Sequence, residues 1–151
     1  MASIPVREVV LPALLRGARG SYAQAIRAKL SEAGFDDLHR NGAFVLGGMA
    51  NAGGSAVEMI QGLGVTKQAA SQLIDTLVLR GYLRRDVNRD DRRRMTVELT
   101  ERGRAAAAAV GAGVKSIDVQ LARMLTPTEL AGLRAGLTAL GEIKDQMDKA
   151  P

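Results

Sequence analysis

The stretch from Ser55 to Gly81 constrains this chain more than any other, because two helix starts and two helix stops lie in it with room for only a tight turn between. Ser55 and Glu58 form a capping box, Ser-x-x-Glu, in which hydroxyl and carboxylate each take a backbone N–H left unpaired at a helix start. That helix stops at Gly62. Gly62 to Val65 makes the turn, Thr66 can cap a second helix, and Gly81 follows its last residue, Arg80. Two short helices joined in this way form a helix-turn-helix.

The flanks add long helices and a hairpin. From Pro12 to Ala33, Leu15, Ala18, Tyr22, Ile26 and Leu30 recur at helical spacing, and Gly34 stops the run. A Gly-interrupted helical pattern runs from His39 to Met49 with Phe44, Val45 and Leu46 as its apolar centre, and ends in the breaker Asn51 to Gly54. Tyr82–Val87 and Met95–Leu99 are short extended runs around a turn of Asn, Asp and Arg. Thr100 can cap a helix through Ala105–Ala109, where the alanines act as strong helix formers, and on by Val110, Val114, Ile117 and Leu121. Thr126, Pro127 and Glu129 mark a last helix start. Leu130, Leu133, Leu137 and Leu140 then give an a/d seam suited to another helix.

With 151 residues, no Trp, two Phe and two Tyr, the chain has to build one core from Leu, Val, Ile, Met and Ala, which favours closely packed helices. The expected class is mainly α with a small β-hairpin, as a single domain over residues 1–151. No run of apolar residues is long enough to span a membrane and no leader is evident, so a cytoplasmic protein without membrane contact is expected. Having no Cys and one His, the chain lacks the usual nucleophile and metal constellations. Gly62 and Gly64 do not make a phosphate loop. No catalytic residue, metal site or resident cofactor is expected; the chain reads as not an enzyme.

Charge points to a partner. The net charge is +5, and between residues 80 and 94 seven Arg stand against three Asp. A concentrated positive field of this kind suits a polyanion. The Thr66–Arg80 helix divides into an apolar face of Ala70, Leu73, Ile74, Leu77 and Val78 and a polar face of Lys67, Gln68, Ser71, Gln72 and Asp75. Ammonium, carboxamide and hydroxyl groups on an exposed helix can read base edges or hold phosphates in a major groove. The hairpin turn adds Arg89, Arg92 and Arg93, guanidinium groups able to enter the narrow minor groove or clamp phosphates, and Asp91 can aim Arg93. Double-stranded DNA is the expected partner.

The run from Leu63 to Arg85, followed by Asp91-Arg-Arg93 and Leu99-Thr-Glu-Arg-Gly103, resembles the multiple-antibiotic-resistance regulator (MarR) family of winged-helix transcription factors. The resemblance implies a winged helix-turn-helix lobe over residues 39–104, with dimerisation helices at 12–33 and 105–148. It implies a homodimeric, ligand-responsive repressor acting on a near-palindromic operator, with Thr66, Lys67, Gln68, Ser71 and Gln72 in the major groove. Arg93 would stand at the wing tip in the minor groove, supported by Asp91. It also implies a small aromatic or phenolic effector, for which Tyr22, His39, Arg40 and Phe44 are the candidate lining; on their spacing alone, Tyr22 and Phe44 read as core and His39 as a helix-start residue. Gln72 stands where the family often has Arg, so base preference does not transfer. Without Cys, a thiol switch is excluded. A winged helix that binds protein instead of DNA is the rival reading, and the Arg-rich turn argues against it.

Overall fold

The computed structural model describes residues 10–87, 90–91 and 95–150, with nothing stated for the side chain of Met95. The order is α1 (Leu11–Glu32), α2 (Arg40–Ala52), α3 (Ala56–Gln61), α4 (Lys67–Leu79), β1 (Leu83–Val87), β2 (Met95–Leu99), α5 (Glu101–Met124) and α6 (Pro127–Lys149). β1 and β2 pair antiparallel, Leu83 opposite Leu99 and Val87 opposite Met95. The mainly helical class with one hairpin is therefore the architecture found. Among the described residues no helix is long and apolar enough to cross a membrane.

The helix boundaries follow the capping chemistry in the sequence. Ser55 Oγ accepts from the Glu58 N–H at 3.2 Å, and Glu58 Oε2 accepts from the Ser55 N–H at 2.9 Å. Thr66 Oγ1 accepts from the Ala69 N–H at 3.1 Å. Thr100 Oγ1 does the same for the Gly103 N–H at 3.0 Å, and Thr126 and Glu129 form a second capping box. Between α3 and α4, Gly64 takes φ +66°, a left-handed backbone that a side chain would strain, which keeps the connection tight.

The chain forms two compact units, residues 1–114 and 115–151. In the first, Val45, Leu46, Tyr82 and Leu83 are the largest side chains removed almost wholly from water, joined by Leu30, Ile60, Leu77 and Val110. α2 is central to this core and unbroken: Gly47, on its buried face, lets Val110 of α5 approach to 3.0 Å from where a Cβ would stand. Two expectations are corrected. Phe44 is half exposed, while its neighbours Val45 and Leu46 are fully buried, because consecutive residues on a helix point about 100° apart. The alanine run of α5 is more than helix former: Ala106 and Ala107 lie in the core, where their small size lets α5 pack closely. The second unit holds the last part of α5 and α6, and no α6 residue is buried.

Tyr82 ties the first unit together. Its N–H bonds the Leu77 carbonyl at 2.9 Å, and its own carbonyl accepts from the Thr100 N–H and hydroxyl, both at 3.1 Å. The start of α5 is thereby pinned to the chain between α4 and β1, and the strand begins one residue later than the sequence pattern suggests, at Leu83. A Cβ on Gly103 would come within 2.0 Å of the Tyr82 oxygen. On the ring side, the Tyr82 hydroxyl donates to Asp37 Oδ1 and accepts from Arg102 Nη2 at 3.1 Å. Arg102 reaches Asp37 at 3.3 Å and lies 4.6 Å from the Tyr82 ring centroid and 5.3 Å from that of Phe35. Arg80, which ends α4, donates to the Asp37 carbonyl.

Loss of water around Tyr82, reinforced by donation to Asp37, pushes its hydroxyl up to about 12, and the same hydrogen bond, with Arg102 and Arg80 nearby, holds the Asp37 carboxyl below its ordinary 3.8. A raised Tyr82 contributes stability in full below its unfolded value near 10 and loses it as pH rises toward 12; a lowered Asp37 contributes above 3.8 and loses its share as pH falls below that. In urea unfolding, Tyr82→Phe is expected to flatten the decline of the midpoint between pH 10 and 12 and to cost about 1 kcal/mol at neutral pH. Gly103→Ala is expected to cost about 2 kcal/mol or more, because its methyl group meets backbone that cannot step aside. Gly111→Ala, whose added carbon meets nothing within 4 Å, is expected to leave stability unchanged or raise it by about 0.5–1 kcal/mol. Thermal melts of the two glycine variants check the contrast.

Candidate nucleic-acid interface

α4 owes its orientation to one face. Leu77 is buried, and Ala70, Leu73, Ile74 and Val78 are partly buried against the core. Held by these residues, the helix leaves Lys67, Gln68, Ser71 and Gln72 exposed over its first two turns. At 100° per residue, Gln68, Ser71, Gln72 and Asp75 form one continuous stripe. Thr66 stands at its head, exposed, with its oxygen committed to the Ala69 N–H and its hydroxyl proton still available to donate. The five residues expected to meet a groove are thus together on one surface, each with hydrogen-bonding capacity directed outward.

The hairpin flanks that surface. Side chains alternate across the strands, so Leu83 and Arg85 share one face while Arg84 points to the other. Leu83 is buried, and Val97, the register partner of Arg85, is packed against the core. On the outer face Arg84 and its register partner Glu98 form an ion pair, with Nη2 at 2.8 Å and Nε at 3.3 Å from the same carboxylate oxygen. That carboxylate raises the Arg84 guanidinium above its already high ordinary value. Arg85 reaches back to α4 and forms an ion pair with Asp75. Sequence patterning placed Asp75 on the polar face but gave no sign of this partner, since the pair joins a helix to a strand across a turn.

Of the wing residues, Asp91 is exposed between the two strands. Arg89, Arg92 and Arg93 lie outside the described residues.

The candidate effector residues fall in different places. Arg40, the first residue of α2, lines a groove of about 650 Å³ along α1 together with Arg16, Arg19 and Arg27, over a floor that includes Leu15, Gly20 and Ala23. Tyr22, His39 and Phe44 do not line this groove. Tyr22 is partly buried on α1, His39 is the exposed residue preceding α2, and Phe44 is half exposed on α2. The three α1 arginines carry no signal in the sequence, where they are spread among alanines and glycines. Helical spacing sets Arg16 and Arg27 on one flank, away from Leu11 and Leu14. Among the described residues no group of three or more His, Asp or Glu side chains is arranged to hold a metal.

Comparison with known proteins gives a consistent answer. Residues 37–94 match the sequence model of the MarR family. No curated protein matches the chain significantly. Among solved structures the fold is similar to S. aureus MepR in its complex with DNA, at a TM-score of 0.70 and 22% identity over 89% of this chain and 98% of that one. It is similar to Streptococcus pneumoniae FabT in complex with DNA, at a TM-score of 0.75 and 19% identity over 91% and 96%. It is also similar to wild-type MarR from E. coli in its apo form, at 0.59 and 22% over 87% and 97%. Residues 37–94 are thus similar in sequence to the MarR family, and along most of its length the chain has the fold of these winged-helix structures.

Proposed function

We propose that this protein is a sequence-specific, double-stranded-DNA-binding transcriptional regulator that works as a homodimer on a near-palindromic operator. The observation that carries the reading is the exposed stripe of Lys67, Gln68, Ser71 and Gln72 on a helix whose other face is anchored in the core. Two solved structures of similar fold, MepR and FabT, are complexes with DNA. Carboxamides at Gln68 and Gln72 supply paired donors and acceptors of the kind that distinguish base edges, while Lys67 and Thr66 suit phosphates. Arg89, Arg92 and Arg93, which with Asp91 fall between β1 and β2 in the sequence, would complete the interface as minor-groove or phosphate contacts. The seam residues Leu133, Leu137 and Leu140 are each over 40% exposed on α6, and Leu11 and Leu14 are exposed on α1. Surfaces of this kind suit the partner subunit of a dimer. In a twofold dimer the recognition helices would enter successive major grooves about 34–36 Å apart.

The effector reading is a small aromatic or phenolic anion. Arg40 is its first contact, and the arginine-lined groove beside it extends the set to Arg16, Arg19 and Arg27. Among the described residues no ion pair joins these four to a carboxylate. An aromatic body would rest on the small and apolar floor while its carboxylate or phenolate takes the guanidinium.

Selection of bound sequences from a random duplex library is expected to return a near-palindromic motif bound with a steep salt dependence, about −0.9 in log–log slope for each phosphate neutralised. Failure to enrich any sequence at low salt would move the reading to a protein-binding winged helix. Gln68→Ala and Gln72→Ala are expected to change which bases are preferred, at a cost of about 1–3 kcal/mol wherever the truncation removes a good bond to a base edge, whereas Arg93→Ala weakens binding to many sequences alike. Screening phenolic carboxylates for release of the selected operator tests the effector: Arg40→Ala is expected to raise the concentration needed about tenfold, and an unchanged response would remove Arg40 from the site.

A further inference from the structure

We infer that Arg85 is a phosphate clamp at the edge of the major groove and that Asp75, on the recognition helix, is the positioning residue that aims it. The inference rests on the proposed DNA-binding role and adds to it two residues whose ion pair links the recognition helix to the wing.

Three observations meet at this pair. The first is reach. Along α4 the polar stripe runs from Gln68 through Ser71 and Gln72 to Asp75, a rise of about 10 Å at 1.5 Å per residue. A major groove is about 12 Å wide. With the first turns of α4 at the base edges, Asp75 stands where the groove ends and the phosphate backbone begins. The second is direction. Arg85 lies on the same strand face as buried Leu83, the face turned toward the core, but two residues farther along β1, where the side chain clears the core and meets Asp75 from the wing side. The backbone of a bound duplex that separates the groove read by α4 from the groove met by the wing has to pass between those two elements. Arg85 bridges them.

The third observation is availability. The Arg85 and Asp75 side chains are 40% and 62% exposed, so water, and equally a phosphate, reaches them. One Arg85 donor, on Nη2, is spent on Asp75 Oδ1. A guanidinium has five N–H donors in a fixed plane, which leaves others for a phosphate oxygen. Arg84, one residue earlier, faces the other way and sends both Nε and Nη2 to Glu98. The two neighbouring arginines are thus divided: one braces the hairpin, and the other is held beside the polar stripe of α4.

Asp75 has a cost that makes its role readable. A carboxylate at the groove edge repels every phosphate equally, on any sequence, so it lowers non-specific affinity. Where α4 is fully seated, the aimed guanidinium offsets that repulsion. Asp75 therefore widens the gap between operator and random DNA, which is a specificity effect without a base contact.

The test measures affinity against salt for the selected operator and for random duplex, with wild-type protein, Arg85→Ala, Asp75→Ala and Asp75→Asn. Wild-type protein that bound neither duplex would overturn the DNA-binding reading itself, and this inference with it. Given wild-type binding, Arg85→Ala is expected to weaken both duplexes and to lower the slope by about 0.9 per protomer. Asp75→Ala is expected to weaken the operator and tighten random duplex, so that the ratio between them falls severalfold. Asp75→Asn keeps an acceptor for Arg85 and is expected to restore operator affinity. An Arg85→Ala slope equal to that of wild type, in a variant with unchanged circular dichroism and melting temperature, would overturn the clamp. Equal losses on both duplexes in Asp75→Ala, without rescue by Asp75→Asn, would reduce the pair to a structural tie.

Discussion

The carbonyl oxygen of Tyr82 sits 2.0 Å from where a side-chain carbon at position 103 would be, and much of the first unit is arranged around that near-contact. Because Gly103 has no such carbon, the first turn of α5 can lie against the chain leaving α4. The Tyr82 peptide is then bonded on both sides, to Leu77 at the end of α4 and to Thr100 at the start of α5. A second close approach, Gly113 to the backbone of Ile26, brings α5 against α1 in the same way. Ala106 and Ala107 fill the interval between these two glycines with side chains small enough to keep the spacing. Helices that touch through backbone cannot slide or rotate without opening gaps along their length, so α4 and the wing inherit a fixed frame.

The polar cluster around the Tyr82 ring extends that frame outward. Asp37 from the α1–α2 connection and Arg102 from α5 meet at the Tyr82 hydroxyl and the Asp37 carboxylate, Arg80 from the end of α4 donates to the Asp37 backbone carbonyl, and Phe35 packs edge-on to the Tyr82 ring at 6.0 Å. Each member is satisfied by another, which is the condition for a polar group at a buried ring to stabilise a fold at all. The consequence for function is positional. α4 is held at its exit by Arg80 and along its inner face by Leu77, Leu73, Ile74 and Val78, and the polar stripe on its other face is presented beside the hairpin. An interface built on such a helix can discriminate between sequences, because a base-edge contact is worth little if the helix can tilt to relieve a mismatch.

Much of this was legible in the residues. The starts of α3, α4, α5 and α6 were marked by Ser55, Thr66, Thr100 and Thr126, because a cap is a local exchange between a side chain and N–H groups two or three residues away. The division of α4 into anchored and exposed faces could be read from its period, and the exposed residues emerge as expected. What the pattern missed shares one property, long separation along the chain. Asp37 meets Tyr82 across 45 positions and Arg102 across 65. Asp37 belongs to no motif that would mark it, and Arg102, although it stands in the Leu99-Thr-Glu-Arg-Gly103 run, carries no local sign of so distant a partner. Phe44 departs from its expected place in the core for a related reason: in a run of three apolar residues, only the packing of neighbouring elements decides which one faces out.

Capping, periodicity and charge are properties of short segments, and from them alone the sequence determined the element order, the helix-turn-helix, the hairpin and the concentration of arginine around it. Only the tertiary structure decided that Gly103 and Gly113 are points of closest approach and not helix breakers, that the alanine run is core, that Arg40 shares a groove with α1 arginines, and that Arg85 turns to Asp75 while Arg84 turns to Glu98. The reason is the same in each case. These outcomes depend on which surfaces the packed elements bring within a few ångströms of one another, and a linear pattern records the surfaces but not their pairing.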